Sequence, residues 1–404
     1  MKLTLKVLTG LTATALLLNC TSTPLAPEAD LTTIATNFKD VSSSFSLDFW
    51  KKVEQSEKDK NYFVSPLSLH TALGMLMNGA GGGNATELKN TLKLNGLTDA
   101  QVSDTYAKIV SSFPAIDPNV TTSMANSIWY RKAFPFSQTF LDKNKATFNA
   151  TVNAEDFSTA TVKKINQWAS DNTKGKIPQV IDQIQTTDVM FLLNALYFKG
   201  NWTVPFDTKQ TQDEDFVGAA TKKVKMMNLK GDFGFTTNDR FSALELPYGS
   251  GKFNMTLVLP TNAKTSTTTL LNSLSAADWK QLTALSKQKV TVKVPKFTLN
   301  YEIKLNEILK SMGMKNAFNS PNDWSKMVSD PELAKKLALS FVKQNTFIAV
   351  DEKGTEAAAV TTIGFEVTSA PINEPEFFCN RPFLFAIHEK TTGQVIFVGK
   401  IASL

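Results

Sequence analysis

Histidine and cysteine are nearly missing from this 404-residue chain, which holds two of each: His70 and His388, Cys20 and Cys379. Two cysteines cannot build a disulfide framework, and no Cys/His cluster has metal-ligand spacing, so neither a metal nor a cofactor is expected. No Gly-x-Ser-x-Gly elbow accompanies the histidines. Phosphate-binding and dinucleotide-binding glycine patterns are absent as well. The run Gly79–Gly83 follows a helical pattern, lacks a following Lys-Ser/Thr and reads as a helix stop. An enzyme therefore finds no support. His70 lies mid-way along an apolar helical pattern and reads as a hydrogen-bonded core or boundary residue; His388 lies among alternating strand residues. Cys379, between Phe377-Phe378 and Pro382-Phe383, reads as a small buried hydrophobe. Charge of one sign is also scarce. The formal net charge of +6, two fewer without Lys2 and Lys6, is spread along the chain. Lys222–Lys225 is interrupted by Val224 and reads as a solvated strand or turn. No basic stripe marks a nucleic-acid footprint.

The first twenty residues read as an export signal. Lys2 and Lys6 precede the apolar stretch Val7–Leu18, which is too short to span a bilayer comfortably. Leu17-Leu18-Asn19-Cys20 resembles a bacterial lipoprotein cleavage box, although Asn19 stands where a small residue is usual. The expectation is a signal peptide over residues 1–19, lipidation of Cys20 and a flexible tether over residues 20–36, with Pro24 and Pro27. That places the protein in a bacterial envelope, periplasmic or surface, held to the membrane by lipid. A plain secretory signal cut nearby, leaving a secreted protein, and an uncleaved anchor are the alternatives.

Beyond the tether the first half is helical. Phe38, Val41, Phe45, Phe49 and Val53 recur near the 3.6-residue period. Pro66 suits the first turn of a second helix that runs through Leu69, Leu73 and Leu76 to a stop at Gly79. Strands follow at Ser127–Tyr130, Val189–Phe198, a hairpin of Leu244–Leu246 with Asn254–Leu259, Val290–Phe297, Ser340–Val350, Phe383–Ile387 and Val395–Ile401. Leu305, Ile308, Leu309 and Met312 form a short helical face before Gly313. Helices first and strands later predict one large α+β unit with more than one sheet.

One segment is written as a strand but placed like a loop. After the strand ending at Val350, the chain continues with small and β-branched residues. Taken by period two, one face is Thr355, Ala357, Ala359, Thr361, Ile363, Phe365 and Val367, without charge. The other carries Glu356 and Glu366. Pro371 and Pro375 close it in a manner suited to an exposed loop. An ordinary edge strand or linker fits these residues too; so does a segment that belongs to two states.

Here the motifs add up to a resemblance. Asn61–Leu69 (NYFVSPLSL), Gly79-Ala80, Thr173–Ile177 (TKGKI), Leu193–Trp202 (LNALYFKGNW), Met226-Met227, Glu245–Tyr248 (ELPY), Pro295–Phe297 (PKF), Met312–Phe318 (MGMKNAF), Gly354–Ala359 (GTEAAA) and Asn380–Phe385 (NRPFLF) occur in order and at fitting distances. From about residue 37 to 404 the chain resembles a serpin, of a bacterial lipoprotein type. The resemblance implies a single domain over residues 37–404, with helices packed around large mixed β-sheets and an exposed reactive-centre loop over about 354–375. It implies no enzyme but a suicide-substrate inhibitor, monomeric, that traps a target protease as a covalent acyl-enzyme by inserting its loop into a sheet.

Residue by residue, the hinge falls on Gly354, Thr355, Glu356, Ala357, Ala358 and Ala359. Thr355, Ala357, Ala359 and Thr361 face inward, small and uncharged as insertion requires. A charge or proline there would favour the alternative, a non-inhibitory serpin acting as a surface binding protein. Counting from Gly354 puts the reactive bond at Thr368–Ser369, with Val367 or its neighbours as alternatives and Phe365, Glu366 and Val367 flanking it. No Lys or Arg lies between Glu356 and Arg381. That argues against trypsin-like targets and for elastase-like, subtilisin-like or papain-like proteases. Ser65, Ser68 and Asn194 fall at the shutter, where Gln344 replaces the usual histidine. Trp202, Lys296 and Glu352 fall at the breach, the latter two as an ion pair.

Overall fold

The computed structural model describes residues 36–319, 323–355 and 374–404. In chain order they form α1 (Thr36–Ser56), β1 (Tyr62–Val64), α2 (Pro66–Met77), α3 (Gly82–Thr91), α4 (Asp99–Ser112), β2 (Val120–Arg131), α5 (Gln138–Phe148), β3 (Thr151–Glu155), α6 (Thr159–Asn172) and β4 (Met190–Asn201). Then follow β5 (Gln212–Val217), β6 (Thr221–Thr237), β7 (Phe241–Tyr248), β8 (Phe253–Pro260), α7 (Thr267–Ser273), α8 (Ala276–Leu282), β9 (Lys287–Pro295) and β10 (Phe297–Lys304). The last elements are α9 (Asn306–Ser311), α10 (Pro331–Lys336), β11 (Lys343–Asp351), β12 (Gly354–Thr355), β13 (Glu376–Phe378), β14 (Phe383–Glu389) and β15 (Val395–Ile401). The nine-stranded sheet has the order β1-β15-β14-β8-β7-β6-β9-β13, with β5 on β6; the six-stranded sheet runs β10-β11-β12-β4-β2-β3.

Local chemistry explains several boundaries. Ser65 caps α2 by accepting from Ser68 N, and Pro66 sits where a missing N–H is harmless. The glycine run both ends α2 and opens α3. At Gly81 a Cβ would lie 2.3 Å from Asp323 Oδ1, so the aspartate occupies the space a side chain needs. Ser127–Tyr130 is only the end of a twelve-residue strand. The apolar alternation Val290–Phe297 spans two strands in different sheets: β9 stops at Pro295, which cannot donate to a ladder, and Phe297 starts β10. Both sides of the join are buried, which hides it from a period-two reading. The strand expected from Ser340 begins at Lys343, because Asn306 holds Ser340 O and Val342 N through its side-chain amide.

The main core lies between the sheets and α1 and α2. Phe63 stacks on Phe397 and Phe385 at 4.7 and 5.7 Å. A second, smaller core of Trp129, Phe157, Ile165, Ile181 and Phe191 packs α6 onto the outer face of the six-stranded sheet. Cys379 is fully buried, and burial pushes its thiol far above the usual range. Lys400 and Glu54 pair at 2.7 Å with neither side chain exposed, and Tyr62 donates to Glu54 at 2.7 Å. Removing one partner strands the other charge, so Glu54→Ala is expected to lower stability by about 3–5 kcal/mol, and Glu54→Ala with Lys400→Met by less. Urea unfolding of both variants checks this.

His70 is buried, as the sequence indicates. Its Nε2 faces Leu92 O at 3.1 Å, and Tyr106 donates to Nδ1 at 2.8 Å. Burial pushes its pKa from 6.5 down to about 4, against the opposing pull of the Leu92 carbonyl. The folded state therefore refuses a proton the unfolded chain accepts. This contribution is complete above pH 6.5 and is lost as pH falls toward 4, about 3 kcal/mol in all. A His70→Gln variant should show a flatter pH–stability profile over that interval by urea titration.

Candidate functional site

The six-stranded sheet is split. β4 pairs with β2 along eleven residues, and β11 pairs with β10 along eight. Between β4 and β11, among the described residues, the only connection is β12, two residues long. Gly354 lies between Asn201 and Asp351, and Thr355 between Gly200 and Val350. Only glycine fits the first position: its φ is +153°, and a Cβ would stand 2.1 Å from Gly200 O. Thr355 is buried, and its hydroxyl meets Tyr248 Oη at 2.6 Å.

Around this short strand the residues expected at the breach come together. Trp202 stacks on Tyr248 at 4.3 Å and donates from Nε1 to Asp351 O at 2.9 Å. Lys296 Nζ and Glu352 Oε2 are 2.6 Å apart, and Thr211 donates to Glu352 at 2.8 Å. Burial pushes the Glu352 carboxyl up, but the hydrogen bonds from Lys296 and Thr211 and the lysine's charge bring it below 4.5. Because Lys296 is 38% exposed, solvent screens the pair and its contribution is about 1 kcal/mol or less.

Below β12 the gap opens into a slot of about 380 Å³. The residues expected at the shutter line it. Gln344 grips the backbone of Ser65 at two points, accepting from Ser65 N at 2.8 Å and donating to Ser65 O at 2.9 Å. Ser65 Oγ donates to Ile396 O and accepts from Ser68 N. Asn194 donates to Asn126 at 2.7 Å, while its Oδ1 is buried without a partner among the described residues. α6 and the chain after it roof the slot with Trp168, Ala169 and Ile177.

Where the described chain resumes, Glu374 pairs with Lys230 at 2.6 Å and Lys289 at 3.5 Å. Thr291 N donates to Pro375 O, and β13 then runs parallel to β9. The chain thus leaves one sheet at Thr355 and joins the other at Glu376. Glu356, Ala357, Ala358, Ala359, Phe365, Glu366, Val367, Thr368, Ser369 and Cys20 lie outside the described residues. Three participants were not singled out by sequence reasoning: Tyr248, Thr211 and Asn126. Tyr248 was visible inside the Glu245–Tyr248 motif; Asn126 faces Asn194 only through the β2–β4 register.

Residues 40–404 match the family model described as serpin (serine protease inhibitor). The chain belongs to the serpin family. Among curated relatives, it is 32% identical over 368 residues to an uncharacterized serpin-like protein of Thermococcus kodakarensis, covering 89% of this chain and 84% of that one. It is 32% identical over 386 residues to the leukocyte elastase inhibitor of Xenopus tropicalis, covering 91% and 99%. Among solved structures, this serpin matches native tengpin, a thermophilic serpin, with a TM-score of 0.83 at 28% identity over 92% of this chain and 95% of the other. The latent state of tengpin gives 0.79 at 28% identity, covering 92% and 99%. A thyroxine-binding globulin complex with thyroxine gives 0.79 at 26% identity, covering 91% and 99%.

Proposed function

We propose that this serpin is a suicide-substrate inhibitor of elastase-like or subtilisin-like serine proteases, or of papain-like cysteine proteases. The observation that carries the reading is the parting of β4 and β11, which among the described residues only the first two residues of the hinge bridge, at its top. The protease attacks at Thr368–Ser369 and forms an acyl-enzyme. The freed arm of roughly 14 residues, about 45 Å extended, then enters the gap as a new central strand and carries the protease with it. Continuing the β12 register takes Ala357 between Phe198 and Ile348, Ala359 between Leu196 and Thr346, and Thr361 between Asn194 and Gln344. Small uncharged residues meet the buried positions, and a hydroxyl comes level with the unpartnered Asn194 Oδ1.

Two further observations support this reading. One is the higher TM-score to native than to latent tengpin, which suits a molecule that has not yet inserted its loop. The other is the likeness to a leukocyte elastase inhibitor. Thyroxine-binding globulin shows that the fold also carries a small ligand; a surface binding role is the competing reading. The N-terminal signal, lipidation of Cys20, an envelope location and a monomeric state belong to the same proposal and rest on the sequence.

Incubation with a panel of these proteases, followed by denaturing electrophoresis and mass spectrometry, tests it. The expected product is a denaturant-resistant complex whose mass is that of the protease plus the inhibitor less its C-terminal fragment. Cleavage of the loop without such a complex would refute inhibition and favour the binding role.

A further inference from the structure

The slot between β4 and β11 has features of a ligand site in its own right. At about 380 Å³ it falls within the size of small-molecule cavities. Leu193, Ile177, Trp168, Leu73 and Leu305 line it from both faces of the sheet, and the shutter residues Asn194, Gln344 and Ser65 share that stretch. It follows β4 from Met190 to Leu196, roughly 20 Å of strand. Lys336 reaches the lining beside the exposed Ser340 at one end, while Lys343 stands level with Leu193 farther along the slot. Lys343 is partly engaged by Glu302 at 3.1 Å. Asp188, the carboxylate at this end, is already bonded to Gln185 N at 2.8 Å and is 3.5 Å from Ser340 Oγ. A long slot with apolar side chains on both faces and Lys336 at its mouth is complementary to a molecule with one anionic end and an unbranched hydrocarbon body.

We propose that the slot binds a long-chain monocarboxylate, with its chain between β4 and β11 beneath α6 and its carboxylate at Lys336. Such a ligand occupies the space the loop arm would take. Bound protein should therefore be cleaved by its target without trapping it, so that the acid acts as a brake on inhibition. This second consequence rests on the insertion reading above; binding itself does not.

Binding is measured with cis-parinaric acid on the full-length, uncleaved protein, with decanoic and dodecanoic acid and dodecanol as competitors. Saturable one-to-one binding is expected, tightening about threefold to fourfold for each methylene added. Lys336→Glu, an exposed substitution, should weaken the acids about threefold to fivefold and leave dodecanol unchanged. Ala338→Trp, also at the exposed mouth, should reduce binding of acids and alcohol alike. Absence of saturable binding, or equal loss of acid and alcohol in Lys336→Glu, would overturn the site. In the second arm, saturating dodecanoate is expected to raise the number of inhibitor molecules cleaved per protease trapped. An unchanged number with binding intact would show that the ligand lies off the insertion path and would overturn the assignment to this slot. If no protease is trapped even without ligand, the inhibitory reading fails while the binding arm still reports on the site.

Discussion

Cutting the bait segment is expected to raise the melting temperature of this serpin by at least about 10 °C. In most proteins a nick in a long loop lowers stability or leaves it unchanged. On the proposed reading, the arm released by the cut enters the six-stranded sheet between β4 and β11. Neither β4 nor β11 has a ladder partner on its facing edge below Thr355 among the described residues. Filling that place adds two ladders of backbone hydrogen bonds, each net about 0.5–1.5 kcal/mol, and buries Ile363, Phe365 and Val367 at about 1.5–3 kcal/mol each. Against these stands the ordering of the arm, about 1–2 kcal/mol per residue. At roughly 1–2 °C per kcal/mol for a chain of this length, a shift of about 10 °C corresponds to a net gain of order 10 kcal/mol. If insertion occurs as proposed, the uncleaved protein sits above its lowest free energy and is held there kinetically. Differential scanning calorimetry before and after limited cleavage near Thr368 checks this; an unchanged melting temperature would refute insertion.

The second large effect concerns Thr355. It is buried between Gly200 and Val350, with its hydroxyl on Tyr248. Thr355→Arg places a guanidinium where the arm must enter, against the Tyr248 hydroxyl. Burying an unpaired charge costs several kcal/mol, while the protease reaction at the loop is untouched. The variant should be cleaved at a normal rate yet form covalent complex at least about 100-fold less efficiently. Thr355→Ala, which loses only the hydroxyl contact, should stay within tenfold of the wild type. The ratio of complex to cleaved inhibitor on a denaturing gel separates the outcomes. Equal trapping by wild type and Thr355→Arg would mean that entry at β12 is not required.

Much of this architecture was legible in the sequence because local physics and tertiary structure agree. Ser65-Pro66 marks a helix start that is a helix start, and the α1 stripe from Val41 to Val53 packs as its period implies. The hairpin β7–β8 follows from its glycine turn. What escaped the reading lies where tertiary context overrides pattern. The change of sheet at Pro295-Lys296 leaves no trace in an apolar alternation that continues across it. β2 was seen only at its aromatic end, since its first half mixes Thr, Ser and Asn with buried Val120 and Met124. At the site, Lys296, Glu352 and Trp202 were reached through their motifs. Asn126, Thr211 and the clamp on Glu374 depend on strand register and side-chain reach, which no spacing encodes.

The order of the nine-stranded sheet bears on how the molecule is made. β1, near the start of the described chain, has β15 as its neighbour, and β15 is synthesised more than 300 residues later. β14 and β15 occupy interior positions of that sheet, and Lys400 on β15 neutralises Glu54 on the first helix. Translation must therefore be nearly finished before this sheet can close, and a nascent chain stays open for most of its synthesis. Late closure of this kind would suit the export proposed for this chain, which would cross a membrane unfolded and complete its sheet on the other side.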